Sequence, residues 1–241
     1  LHNRKHSFPT RRSSDLAAFA NAETFINASF ATDNPETDKQ WVLNFYQNLL
    51  QYHLNDENPR ALIDVDLKRL QFARNNAVLT NKDSLYANAL ERLHERHAQH
   101  PAASEILYQL ANFHFLQGQN YAPDPINEVY RLEKRKALRI CEDCIENYPE
   151  EEYGVEKCRW LREQIMKKSL ELHMEAVNLP GQPMLAKLSY QNVERVYLRV
   201  VRLRPSQLEQ LEDLNNKEKF DFLTDLRAAE AWSQQLPDDE D

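Results

Sequence analysis

Glycine is nearly missing from this chain, with three residues in 241. Phosphate-cradling loops need several glycines so that backbone N–H groups can approach the ligand, and no such loop is present. There is also no G-x-S-x-G nucleophile turn and no H-E-x-x-H zinc motif. Cysteine is scarce, at three residues, which excludes a small disulfide-stapled scaffold. No apolar run approaches the roughly 18–20 residues of a membrane span. Basic residues are outnumbered 30 to 38, for a net charge of −8. An acidic chain without a basic stripe argues against a nucleic-acid partner. What is abundant is Leu, Ala, Glu, Lys and Arg, a composition that favours helix, over a length that builds one or two packed domains.

Residues 1–16 (LHNRKHSFPTRRSSDL) differ from the rest. They hold four basic residues and the single acidic Asp15, leaving 26 basic and 37 acidic residues, net −11, to the remaining chain. Arg11-Arg12 is followed by an apolar stretch of five residues, short of the roughly 7–15 of a signal core, so a twin-arginine export signal is not read here. The stretch looks like translated sequencing-adapter read-through. It is expected to be disordered and to play no part in the fold. The acidic body is expected to stay apart in solution by self-repulsion.

From Glu36 the apolar spacing predicts about six helices. Trp41, Phe45, Leu49 and Tyr52 mark the first inward face. Asn58-Pro59 opens the next helix with Pro in its first turn, and Ile63, Leu67 and Leu70 carry its stripe. Thr80 with Asp83 three residues on resembles a capping box, ahead of Leu85, Ala89 and Leu93. Pro101 opens a helix that turns Leu107, Leu110, Ala111 and His114 inward. Gly118, Tyr121, Pro123 and Pro125 end it. Two more helices are expected over 127–148 and 152–168, separated by Pro149. Ala137, Ile140, Cys141, Cys144, Ile145 and Tyr148 form one face of the first of these. SEILYQLANFHFLQGQNY and KALRICEDCIENYPE resemble the two helices of a tetratricopeptide unit, although 122–135 is too long for its tight turn. The expected architecture over 17–168 is therefore a degenerate helical-hairpin solenoid.

The period changes at Ser169. Leu170, Leu172, Met174 and Ala176 alternate with polar residues, the pattern of a half-buried strand. After a turn over 178–183, Met184, Ala186, Leu188 and Tyr190 mark a second strand. Gln191-Asn192 makes a tight turn, and Val196, Leu198 and Val200 mark a third. Together they predict a three-stranded antiparallel meander. Residues 205–235 return to a helical pattern, with Leu208, Leu211, Phe220, Phe222, Leu223 and Leu226, and 236–241 form a polar end. A sheet with one apolar face and no opposing layer reads as unfinished, so 169–241 is expected to be an incomplete β-domain with a helical insertion, the junction piece of a larger protein.

Few residues suggest chemistry. Cys141-Glu-Asp-Cys144 is a C-x-x-C, but a redox pair opens a helix and a zinc site needs a second pair of ligands. Both cysteines lie inside a helical stripe, and Cys158 keeps step with Val155, Leu161 and Ile165. All three read as small core residues, with a disulfide from Cys158 to Cys141 or to Cys144 left open. His94, His97 and His100 fall among Glu91, Arg92, Glu95 and Arg96 near a helix C-terminus and read as a solvated face. Asp64 and Asp66 diverge on a helix and make no carboxylate dyad. Asn27-Ala-Ser29 matches the glycosylation acceptor pattern. No catalytic, cofactor-binding or metal site is assigned, and no small-molecule substrate is implied.

LELHMEAVNLPGQPMLAKLSYQNVERVYLRVVRL resembles the entry into the first macroglobulin-type β-domain of large bacterial alpha-2-macroglobulin family proteins of Bacteroidetes. NPRALIDVDLKRLQFARNNAVLTNKDSLYANALERL and HPAASEILYQLA are similar to their N-terminal helical extension, and AWSQQLPDDED fits where the β-domain continues. The resemblance covers about residues 17–241. It implies a non-catalytic N-terminal scaffold of an exported protease inhibitor, periplasmic or at the cell envelope or outside it. Such a molecule traps a target protease after cleavage of a bait segment, in many members through a Cys–Gln thioester. The motif C-x-E-Q is absent, because Cys141 precedes Glu-Asp-Cys and Cys158 precedes Arg-Trp-Leu, so no trapping residue is assigned. The alternative is a helical-repeat adaptor that binds proteins.

Overall fold

The computed structural model describes residues 16–30, 38–121, 129–175 and 183–237. These form nine helices and four strands, a mainly helical region followed by a small antiparallel β part. The chain divides into two compact units, the second starting at Met166.

The first unit contains α1 (Ala22–Ile26), α2 (Asp38–His53), α3 (Arg60–Asn76), α4 (Lys82–His97), α5 (Ala103–Gly118), α6 (Glu133–Asn147) and α7 (Tyr153–Met166). The expected six helices after Glu36 are therefore present as α2 to α7. Each helix from α2 to α6 packs on the one before it, and α5 against α6 is the most extensive pairing. These two carry the tetratricopeptide-like stretches. Two apolar clusters hold the unit together. One joins α1 to α5 and takes in Phe19, Phe25, Leu43, Leu50, Ile63, Leu70, Leu90 and Ile106. The other joins α5, α6 and α7 through Leu107, Ala111, Ala137, Cys141, Cys144, Val155, Cys158, Leu161 and Ile165.

Helix starts differ from their sequence expectations in informative ways. Pro59 stands just before α3 rather than in its first turn, and Asn58 Oδ1 accepts from the Arg60 N–H at 3.0 Å. No capping box forms at Thr80. The residue before α4 is Asn81, without a side-chain cap, and Asp83 instead pairs with Arg74 Nε at 2.7 Å. That guanidinium also lies over the Tyr86 and Phe113 rings, so tertiary contacts have claimed the carboxylate.

The inward face of α2 is a second correction. Trp41, Phe45 and Tyr52 are 68%, 60% and 78% exposed, whereas Leu43 and Leu50 are fully buried. Both sets repeat at helical spacing, so periodicity cannot choose between them. The packing of α2 beside α1 and α3 selects the leucine face.

The second unit contains β1 (Ser169–Met174), β2 (Ala186–Gln191), β3 (Arg195–Val201), α8 (Pro205–Glu212), α9 (Asn216–Asp225) and β4 (Ala228–Gln235). The meander does not form. β1 pairs with β2 from Ser169↔Gln191 to Met174↔Ala186, and β3 pairs with β4, not with β2. Residues 228–235, read as helical in the sequence, are a strand. The tight turn does exist, since Asn192 takes φ 53°, a conformation asparagine tolerates. Its amide donates to the Lys167 carbonyl at 3.1 Å. The Tyr190 hydroxyl donates to the Pro237 carbonyl at 2.9 Å and links the two ladders. Leu170, Leu172 and Met174 alternate as expected but each remains about half exposed, and only Val196 and Leu236 are buried among the described residues here. The expected half-burial of these strands is thus corrected to an open apolar face.

Candidate functional site

All three cysteines are buried free thiols. Cys158 of α7 lies in one buried cluster with Cys141 and Cys144 of α6, and Cys144 Sγ donates to the Ser104 carbonyl at 3.6 Å. The neighbouring thiols and burial push the Cys158 pKa up, the reverse of what a reactive cysteine needs. Among the described residues no group of three His, Cys, Asp or Glu side chains is arranged to hold a metal ion. Cys141→Ala is expected to cost about 1 kcal/mol through lost packing, and chelators are expected not to unfold the protein. Stoichiometric zinc in the purified protein would contradict this.

The histidines are not a solvated face. Tyr148 Oη donates to the Ala98 carbonyl at 2.9 Å and so accepts at 2.9 Å from His94 Nε2, which must carry its proton there. His100 Nδ1 accepts from the Ala102 N–H at 3.1 Å. Burial lowers the His94 pKa against Glu95 and Asp143, and burial together with Arg96 lowers that of His97 against Asp66 and Glu23. The unfolded chain therefore takes up protons on these rings before the folded chain does, and stability falls as pH drops below about 6.5. Urea titrations at pH 7 and pH 5.5 should show the loss, and His97→Gln should shrink it. An unchanged slope in that variant would contradict the assignment.

Asp64 and Asp66 do diverge. Asp64 makes an exposed pair with Lys68 at 2.7 Å. Asp66 turns into the core, in step with Leu62, Ile63, Leu70 and Ala73 on the buried face of α3. Arg69, one turn further on, is 1% exposed and donates Nε to Asp66 Oδ1 at 2.7 Å. Sequence reasoning missed this pair because charges are expected outside. The available signal was that both residues share the apolar stripe of α3.

Arg69 reaches beyond its own helix. Its Nη1 donates to the Ala18 carbonyl at 2.7 Å and its Nη2 to the Ala20 carbonyl at 3.0 Å, with the guanidinium 4.6 Å from the centre of the Phe25 ring. Arg92 of α4 donates to the Phe19 carbonyl at 3.0 Å. Gln47 of α2 donates to the Phe25, Ile26 and Ala28 carbonyls at 2.8, 3.2 and 2.8 Å. Arg96 grips Glu23 in a two-pronged pair, which holds the Glu23 carboxyl below its ordinary range. Residues 16–30 thus lie as a strap across α2, α3 and α4, with Ala18, Phe19, Ala22, Phe25 and Phe30 buried. A cavity of about 40 Å³ beside the strap is lined by Asp66, Arg92, Arg96 and His97, among others. Asn27 of the glycosylation-like triplet is exposed on the strap, and its amide donates to the Glu23 carbonyl at 2.8 Å.

The groove presents fixed donors to main-chain carbonyls and apolar seats to aromatic side chains, which is the chemistry of holding a polypeptide. Among the described residues no helix is long and apolar enough to cross a membrane. Comparison of the chain with protein-family models, curated proteins and solved structures finds no match.

Proposed function

We propose that this chain is a non-catalytic scaffold, the helical N-terminal part of an alpha-2-macroglobulin-like protease inhibitor that is exported to the periplasm, the cell envelope or beyond. One observation carries the reading: Leu170, Leu172 and Met174, which share one face of β1, each stay about half exposed, as does Trp232 of β4. Burying a Leu- or Val-sized side chain is worth about 1.5–3 kcal/mol, so such a face gains from a further β layer, as a macroglobulin-type domain supplies. The order of a helical array followed by antiparallel strands supports the same reading, and its protease partner engages other parts of the inhibitor.

Hydrogen exchange and sedimentation on the chain alone test it. The helices should be protected, the strands should exchange quickly, and open strand edges should drive self-association. An intact coding frame should continue into further β-patterned domains. A helical-repeat adaptor is the second reading, favoured by the exposed row of Trp41, Phe45 and Tyr52 on α2. Strands protected as well as the helices, in a clean monomer, would favour that adaptor and count against the scaffold.

A further inference from the structure

The strap is attached to the helical array as a bound peptide is. Its backbone hydrogen bonds close within it: Phe19 N–H to Leu16 O, Ala20 N–H to Ala17 O, Phe25 N–H to Asn21 O and Ala28 N–H to Phe25 O. Its polar connections to the array run instead from side chains. Arg69, Arg92 and Gln47 donate to the carbonyls of Ala18, Phe19, Ala20, Phe25, Ile26 and Ala28. Carbonyls are common to every polypeptide, so these donors read direction and conformation. Selectivity comes from the seats of Phe19, Phe25 and Phe30, which are nearly fully buried.

We propose that the groove formed by α2, α3 and α4 is a peptide-binding site, that residues 16–30 are its ligand in cis, and that the same segment of a second copy of this chain can fill it in trans. A second copy is the occupant argued here because its sequence meets every seat: aromatic anchors at the spacing of Phe19, Phe25 and Phe30, small Ala18 and Ala22 where the backbone lies close, and Glu23 opposite Arg96. Exchange of an identical segment between protomers creates no new contact and so needs no new surface. The inference is independent of the scaffold reading, and its failure would leave that reading untouched.

The test uses the full chain with a protease recognition sequence of equal length in place of residues 31–37, cut after folding. The probe is a fluorescent synthetic peptide of residues 16–30, followed by anisotropy. The probe should enter the cut chain saturably and displace the original segment while the circular dichroism of the helices is retained. A probe carrying Phe25→Ser should fail to enter. Gln47→Ala in the cut chain should weaken binding about tenfold or more, since it removes the donor to three carbonyls. With the uncut chain, refolding at high concentration should yield a dimer in which differently mass-labelled copies are crosslinked between strap and groove. Exclusion of the probe from a cut chain that keeps its native spectrum would overturn the proposal. So would loss of the helices when the segment departs, because the strap would then be an inseparable part of the core.

Discussion

An Arg69→Ala chain is expected to lose about 3–5 kcal/mol of stability, the usual cost of stripping one partner from a buried ion pair. Asp66 would be left in the core with its charge uncompensated, and the Ala18 and Ala20 carbonyls would lose their donors. The guanidinium also loses its place over Phe25, so the strap should loosen with it. Burial, and to a lesser degree Arg92, pulls the Arg69 pKa down, and Asp66 opposes the shift. Urea unfolding of Arg69→Ala and four companion variants checks the account. Lys68→Ala breaks an exposed pair one residue away and should stay within about 0.5 kcal/mol. Asp66→Leu combined with Arg69→Met should cost less than the two single changes together, because the pair is removed as a unit. A loss below about 1 kcal/mol in Arg69→Ala would show that the pair is not what holds the strap.

Gly154→Ala should lower stability by about 2–3 kcal/mol, although alanine is the better helix former by up to about 1 kcal/mol. Gly154 lies in the first turn of α7, where an added Cβ would stand 2.3 Å from the Ser104 carbonyl carbon and 2.5 Å from the Glu105 nitrogen. Both obstacles are backbone, so α7 and the start of α5 would have to move apart. The Ser104 carbonyl also receives the Cys144 thiol, and Lys157 reaches from α7 to Glu105 at 2.9 Å, so the shift would disturb the thiol cluster and an ion pair together. In a unit of this size the loss corresponds to a fall in melting temperature of roughly 4–12 °C. A variant as stable as the parent would mean that the two helix starts do not meet in solution.

Much of the helical part was legible from spacing. Ile63, Leu67 and Leu70 are buried as read, as are Ala89, Leu93, Leu107, Leu110 and Ala111. Gly118 closes α5 where the turn residues begin. Pro123 and Pro125, which the same reading placed in that turn, lie outside the described residues. The cysteines were legible for the same reason: a thiol in step with Val155 and Leu161 has nowhere to point but inward.

The strap was not legible. Its placement depends on Arg69, Arg92 and Gln47 finding carbonyls 19 to 73 residues away in sequence, and side chain–backbone contacts of that reach leave no period to detect. Residues 1–15 lie outside the described residues, while the carbonyl of Leu16, which the sequence reading grouped with them, accepts from the Phe19 N–H at 3.0 Å.

By itself the sequence determined the six helices α2 to α7, where the period changes to that of strands, and that glycine-loop chemistry is absent. These depend on neighbours within one or two turns of chain, and local propensity and amphipathic spacing record them. Only the tertiary structure decided which face of α2 is inside, that Asp66 and Arg69 are buried together, and that residues 228–235 are a strand. That last segment, AAEAWSQQ, carries Ala, Glu and Gln that favour helix in isolation. It becomes β4 because β3 offers it an unpaired edge in register from Arg195↔Gln235 to Val201↔Ala228, and pairing between distant segments outweighs a propensity difference of well under 1 kcal/mol per residue.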